Sequence, residues 1–226
     1  MAEPIVFYFD FISPYAYLAW HQLPAFTARH GRTLELRPIL FAAALDHWGQ
    51  LGPAEIPPKR EFVFRQLLRR AAKLELQLVP PPAHPFNPLL ALRIAGLPEL
   101  SEDQRHDLVT RLFAATWGGG QGVADAAAVE RALAGSAHDA SALIAAASEA
   151  PAKRALIEAG QQALAAGVFG VPTMVVDGEL FWGADSLPDI EDCLSGRDRL
   201  DPSLVERWRE LPVGSARRKV SKDEGS

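Results

Sequence analysis

The spacing of apolar and polar positions changes character along the chain, and the changes divide it. Val6 to Phe11 is almost wholly apolar, aromatic or β-branched, the pattern of a strand covered on both faces. Ser13 follows as a helix N-cap, with Pro14 at the first helical position, where its missing N–H costs nothing. From Tyr17, the residues Trp20, Leu23 and Phe26 recur at helical spacing until Gly31 supplies a stop. Thr33 to Leu40 then alternates, with Leu34, Leu36 and Ile39 set against Glu35 and Arg37, which predicts a second strand. A helix joins the two strands, so they are expected to run parallel in a right-handed crossover.

Beyond Phe41 the pattern becomes helical for about 120 residues. Leu45 to Pro58 carries Gly49, Gly52, Pro53, Pro57 and Pro58 and reads as a loop. Lys59 to about Leu76 reads as a helix with Val63, Leu67, Ala71 and Leu74 on one face. Arg65, Arg69, Arg70 and Lys73 lie elsewhere on it, as a solvated basic face or an anion site. After a proline-rich connector, Asn87-Pro88 opens a helix through Leu97, and Ser101 with Gln104 forms a capping box for one to about Thr116. Trp117 precedes Gly118-Gly119-Gly120, a flexible turn with no lysine–serine pair to make a phosphate loop. Asp125 and Asp139 cap alanine-rich helices, and Pro151 to Ala166 forms one more. Strands return at Thr173–Val176 and Glu179–Trp182, joined by Asp177-Gly178, a two-residue hairpin signal. Gly183 to Ser186 leads into a last helix through Leu194, and the small, charged tail is expected to be disordered.

The order βαβ, helical block, ββα describes an α/β domain split by a helical insertion. The expected boundaries are 1–42 with 165–212 for the α/β domain, 43–164 for the insertion and 213–226 for the tail. A net charge of −5 implies no nucleic-acid surface. No stretch is long and apolar enough for a membrane span, and the start has no basic n-region, so a cytoplasmic protein is expected. The single cysteine, Cys193, makes no intrachain disulfide and no zinc site, so no metal is expected.

Candidate chemistry centres on Ser13. A hydroxyl at the positive end of a helix suits an anion or a thiolate, and the plainer alternative is that it only caps the helix. Far downstream, Gly170-Val171-Pro172-Thr173 precedes a strand.

A polar residue and proline after the first strand, with Val-Pro before the third, resembles the thioredoxin fold. The position of the helical insertion resembles its DsbA-like branch, whose oxidoreductases open the first helix with Cys-Pro-X-Cys. Here those positions read Ser13-Pro14-Tyr15-Ala16, so both sulfurs are gone and thiol–disulfide exchange is excluded at this motif. Phe9 to Ala19 resembles the opening of 2-hydroxychromene-2-carboxylate isomerases and kappa-class glutathione transferases. Phe169 to Met174 and Phe181-Trp182-Gly183-Ala184-Asp185 resemble their later motifs, with Trp117-Gly118 and Ile56-Pro57-Pro58-Lys59 agreeing more loosely. The likeness covers about residues 4 to 195, and Trp182-Gly183 with Trp117-Gly118 favours the isomerase branch.

The resemblance implies glutathione as cofactor. A cis Pro172 facing the first helix would leave Val171 to pair antiparallel with the cysteinyl backbone of glutathione. Trp182, Gly183, Ala184, Asp185 and Ser186 would hold the γ-glutamyl end, with Asp185 on the ammonium and Ser186 with helix N–H groups on the carboxylate. Lys59 matches a lysine near the glutathione, and Ser13 would donate to the sulfur and favour the thiolate. A small aromatic substrate is implied, held by Gln50, Glu55, Phe86 and Asn87 between the α/β domain and the helices. The implied reaction is the cis–trans isomerisation of a hydroxybenzylidene-pyruvate by reversible thiolate addition. Two alternatives are a kappa-like transferase or peroxidase, and a silent module that binds glutathione or a peptide. The resemblance also implies a homodimer, although no stretch of sequence marks an interface.

Overall fold

The computed structural model describes residues 2–215. Its elements are β1 (Ile5–Phe9), α1 (Pro14–Arg29), β2 (Leu34–Pro38), α2 (Phe41–Trp48), α3 (Pro57–Lys73), α4 (Leu89–Ala95), α5 (Glu102–Phe113), α6 (Ala126–Leu133), α7 (Ala140–Ser148), α8 (Ala150–Ala165), β3 (Thr173–Val176), β4 (Glu179–Trp182), α9 (Leu187–Leu194) and α10 (Pro202–Arg209). The strands form one sheet in the order β2-β1-β3-β4 among the described residues. β1 and β2 are parallel, as a helical crossover requires, while β3 runs antiparallel to both β1 and β4.

The strand β1 organises the core because its side chains are buried on both faces of the sheet. On one face Phe7 and Phe9 stack at 5.3 Å, and Phe113 of α5 meets Phe11 at 4.7 Å and Phe9 at 5.6 Å. Trp20 of α1 completes this aromatic block, 6.4 Å from Phe113. Leu92 and Ile94 of α4, Leu108 and Leu112 of α5 and Val129 of α6 belong to the same buried cluster. One apolar core thus crosses the expected boundary at residue 43. On the other face Tyr8, Ile39, Val168 and Val171 pack with Ala163 of α8.

The local caps act as read. Ser13, Ser101, Asp125 and Asp139 each accept a backbone N–H in the first turn of α1, α5, α6 and α7 respectively. Two segments differ from expectation. Part of the expected loop at 45–58 is helical, because α2 runs from Phe41 to Trp48. Its N-cap position is Leu40, which has no capping side chain; the Phe41 N–H instead donates to the Asp10 carboxylate at 2.9 Å. After Leu194 the sequence reading contains no helix, yet α10 forms with Asp201 as its cap and Pro202 in its first turn. The expected strand to Phe11 ends at Phe9, since Asp10 bends the chain by accepting the Ile12 N–H at 3.0 Å. Of the expected disordered tail, 213–215 are exposed and irregular, and the rest lies outside the described residues.

Candidate active site

The turn between β1 and α1 presents Ser13 at the head of α1. Ser13 is 7% exposed, with extended backbone at φ −93 and ψ 111. Its Oγ accepts the Ala16 N–H at 3.2 Å and donates to the Val171 carbonyl at 3.3 Å, bridging residues 158 apart in sequence. The Val171–Pro172 peptide is cis. The Pro172 carbonyl accepts the Gly183 N–H at 2.9 Å, extending the β3–β4 pairing. The Val171 N–H makes no hydrogen bond among the described residues.

A cleft of about 940 Å³ opens over this point. Ile12, Ser13, Pro14 and Tyr15 line it from the β1–α1 junction, Phe41 and Leu45 from α2, and Lys59, Phe62, Val63 and Arg70 from α3. Phe169 to Pro172, Trp182, Gly183 and Asp185 form the opposite wall. Phe62 and Trp182 are exposed, and Phe169 lies 5.3 Å from the Trp182 ring. The indole fits only because residue 170 is glycine: a Cβ there would stand 2.6 Å from Trp182 Nε1.

Of the residues singled out in the sequence, Ser13, Gln50, Glu55, Lys59, Val171, Pro172, Trp182, Gly183 and Asp185 line this cleft. Four others do not. Asn87 turns its Oδ1 to the Leu89 N–H at 3.0 Å at the start of α4, and Phe86 packs on the core. Ala184 is 8% exposed and lines a neighbouring groove between α1, α3 and α9. Ser186 heads α9 without capping it, because its Oγ donates to the Trp182 carbonyl at 2.5 Å. Glu55 is partly committed as well, since its Oε1 accepts the Gly52 N–H at 2.6 Å.

Sequence reasoning missed four side chains around Ser13. Arg70, on the face read as solvated or anion-binding, reaches across the cleft to Asp185 Oδ2 at 3.0 Å. The guanidinium holds the Asp185 carboxyl below the usual carboxylate range. It also lies 5.7 Å from the Tyr15 ring centroid, and Tyr15 donates its hydroxyl to Gln66 at 2.5 Å. Asp10 is fully buried beneath the turn, and burial pushes its carboxyl up to about 7, against two backbone N–H bonds that pull it down. His84 lines the cleft, its pKa lowered by burial. Cys193 sits on α9 outside the cleft lining, and burial with nearby acidic groups raises its thiol pKa. No helix among the described residues is long and apolar enough to cross a membrane.

The family model described as a DSBA-like thioredoxin domain matches residues 4–195. A 2-hydroxychromene-2-carboxylate isomerase of Sphingobium xenophagum is 35% identical over 196 residues, covering 86% of this chain and 99% of that protein. Glutathione S-transferase kappa 1 of Caenorhabditis elegans is 34% identical over 79 residues, 34% of this chain and 35% of that one. Among solved structures, a 2-hydroxychromene-2-carboxylate isomerase superposes with a TM-score of 0.77 at 26% identity, covering 92% of this chain and 98% of its own. Fold and chain coverage agree, and the chain belongs to the DsbA-like thioredoxin family, within its 2-hydroxychromene-2-carboxylate isomerase branch.

Proposed function

We propose that this protein is a glutathione-dependent cis–trans isomerase, interconverting 2-hydroxychromene-2-carboxylate and trans-o-hydroxybenzylidenepyruvate or a close aromatic analogue. One observation carries the reading: the Ser13 hydroxyl stands at the head of α1 opposite a Val171 N–H that is unpaired among the described residues. The residues present fit glutathione. The Val171 edge suits an extended peptide backbone. Asp185 and Arg70 offer one anion and one cation 3.0 Å apart, the complement of an α-amino-acid end. Arg70 thus replaces Ser186 as partner of the γ-glutamyl carboxylate. Lys59 supplies an exposed cation for the other carboxylate.

Bound there, glutathione supplies a thiol that adds reversibly to a conjugated double bond and leaves unchanged once the resulting single bond has rotated. Ser13 activates and is not itself the nucleophile. Its 3.3 Å bond to the Val171 carbonyl is long, so Oγ–H exchanges readily to a sulfur placed at the same edge. The first-turn N–H groups of α1 add a fixed positive potential, and both effects favour thiolate over thiol. Phe62 on α3 and, on the opposite wall, Phe169 and Trp182 give apolar ring surfaces for an aromatic substrate. The cytoplasm, where glutathione is kept reduced, is the compartment this reading requires.

The partial match to a kappa-class transferase favours a second reading, conjugation of glutathione to an electrophile. One assay separates the two. Purified protein is mixed with trans-o-hydroxybenzylidenepyruvate and glutathione, and both substrate absorbance and free thiol are followed. The expected result is isomerisation to equilibrium, dependent on glutathione, with the thiol titre constant. Ser13→Ala should lower kcat by roughly 10². Stoichiometric loss of thiol would establish the transferase, and no reaction with this substrate or with an added transferase electrophile would leave a silent binding module.

A further inference from the structure

The helical insertion reaches the reacting centre through the backbone that precedes Ser13. Trp117 Nε1–H donates to the Phe11 carbonyl at 2.8 Å, and the His84 ring bonds the next carbonyl, that of Ile12, through Nε2 at 3.0 Å. These side chains lie 106 and 72 residues from the carbonyls they hold. Asp10 completes the turn: its carboxylate accepts the Ile12 N–H and its own carbonyl accepts the Ser13 N–H, each at 3.0 Å. The two rings brace each other, edge to face at 5.5 Å, and Phe64 of α3 packs on His84 at 5.7 Å. Trp117, 2% exposed, is itself anchored by its carbonyl, which accepts the Val79 N–H at 2.6 Å.

We propose that His84 and Trp117 are positioning residues for the thiolate site, clamping two consecutive peptide carbonyls so that these point away from the sulfur and leave Ser13 aimed at it. This inference rests on the thiolate reading above. The chemistry of His84 excludes a direct catalytic role. Its partner is a carbonyl, so the ring must carry its proton on Nε2. Nδ1 is buried without a partner among the described residues and, in this tautomer, carries no proton to give. Burial lowers the ring pKa, the Ile12 carbonyl bond opposes it and nearby Arg60 adds to the lowering, which favours the neutral ring with its proton on Nε2. Without that donor the half-buried Ile12 carbonyl loses its hydrogen bond, and its escape is rotation of the 12–13 peptide toward the cleft. A carbonyl dipole turned that way repels a thiolate and displaces Ser13 together.

The test compares His84→Leu, His84→Gln and Trp117→Phe with the wild type, each confirmed folded by circular dichroism. Two quantities are read: the pKa of bound glutathione from its ultraviolet thiolate absorbance, and kcat with KM for glutathione. Removing either donor should raise the bound thiol pKa and lower kcat about tenfold, with KM changed less than about twofold. His84→Gln, which restores an N–H at similar reach, should recover most of both. If His84→Leu does not fold, Trp117→Phe, which keeps the aromatic packing, decides alone. Wild-type thiol titration in the folded variants overturns the proposal, and so does a loss of kcat that leaves the thiol pKa unmoved. An unshifted thiol in the wild type itself removes the thiolate reading first, and this inference with it.

Discussion

Asp10 makes the stability of this protein depend on pH in a direction opposite to that of an ordinary surface carboxylate. The side chain is fully buried, with its oxygens accepting the Ile12 and Phe41 N–H groups. Burial outweighs those bonds and pushes the carboxyl from 3.8 up to about 7. A folded-state pKa above the unfolded one means that the folded chain holds its proton more tightly. The stabilisation is therefore complete below about pH 4 and is lost as pH rises through about 7. At 1.36 kcal/mol per pH unit the full loss is about 4 kcal/mol, of which about 3 kcal/mol falls between pH 5 and pH 8. Asp10→Asn removes the titration and one acceptor, so it should destabilise the fold at pH 5, by a margin that shrinks toward pH 8. Urea unfolding followed by tryptophan fluorescence, on wild type and variant at pH 5, 6, 7 and 8, measures the margin, and the other titrating groups cancel between the two proteins. The expected change in the margin is about 3 kcal/mol across that range. A margin constant to within about 1 kcal/mol would refute the reasoning, since buried carboxyl and titration would then be uncoupled.

Two further predictions follow from the packing of the cleft and the core. Arg70→Ala removes the cation opposite Asp185, so steady-state kinetics should give a KM for glutathione about tenfold higher with kcat nearly unchanged. Phe113→Ala empties the contact between α5 and β1, where Phe113 is fully buried against Phe9, Phe11 and Trp20, and should cost about 3–5 kcal/mol in urea unfolding.

Features with a local cause were legible in the sequence. Ser13, Ser101, Asp125 and Asp139 cap the helices that follow them within three residues, and Asp177-Gly178 turns β3 into β4. Ser13, Val171 and Asp185 were legible through the family resemblance, and they line one cleft. Features with a distant cause were not. The helix α2 takes its N-terminal acceptor from Asp10, 31 residues upstream, so a search for a cap beside Phe41 finds only Leu40. Arg70 belongs to a helix face that looks solvated until Asp185 is placed 115 residues away. Phe86 and Asn87 were expected in the cleft because they precede α4 on a connector, yet packing and a local bond hold them outside its lining. The helix α10 does have a local signal, Asp201 as cap and Pro202 in the first turn.

The chain's own phenols and thiol leave its ultraviolet titration quiet around neutrality. Its three tyrosines, Tyr8, Tyr15 and Tyr17, all have hydroxyl pKa values raised by burial, and its one thiol, Cys193, is raised as well. Phenolates and thiolates are the side-chain ionisations that add ultraviolet absorbance, and in this protein they begin only at alkaline pH. A signal that grows between pH 5 and pH 8 after glutathione is added therefore belongs to the added thiol, read directly and without mutating any background chromophore.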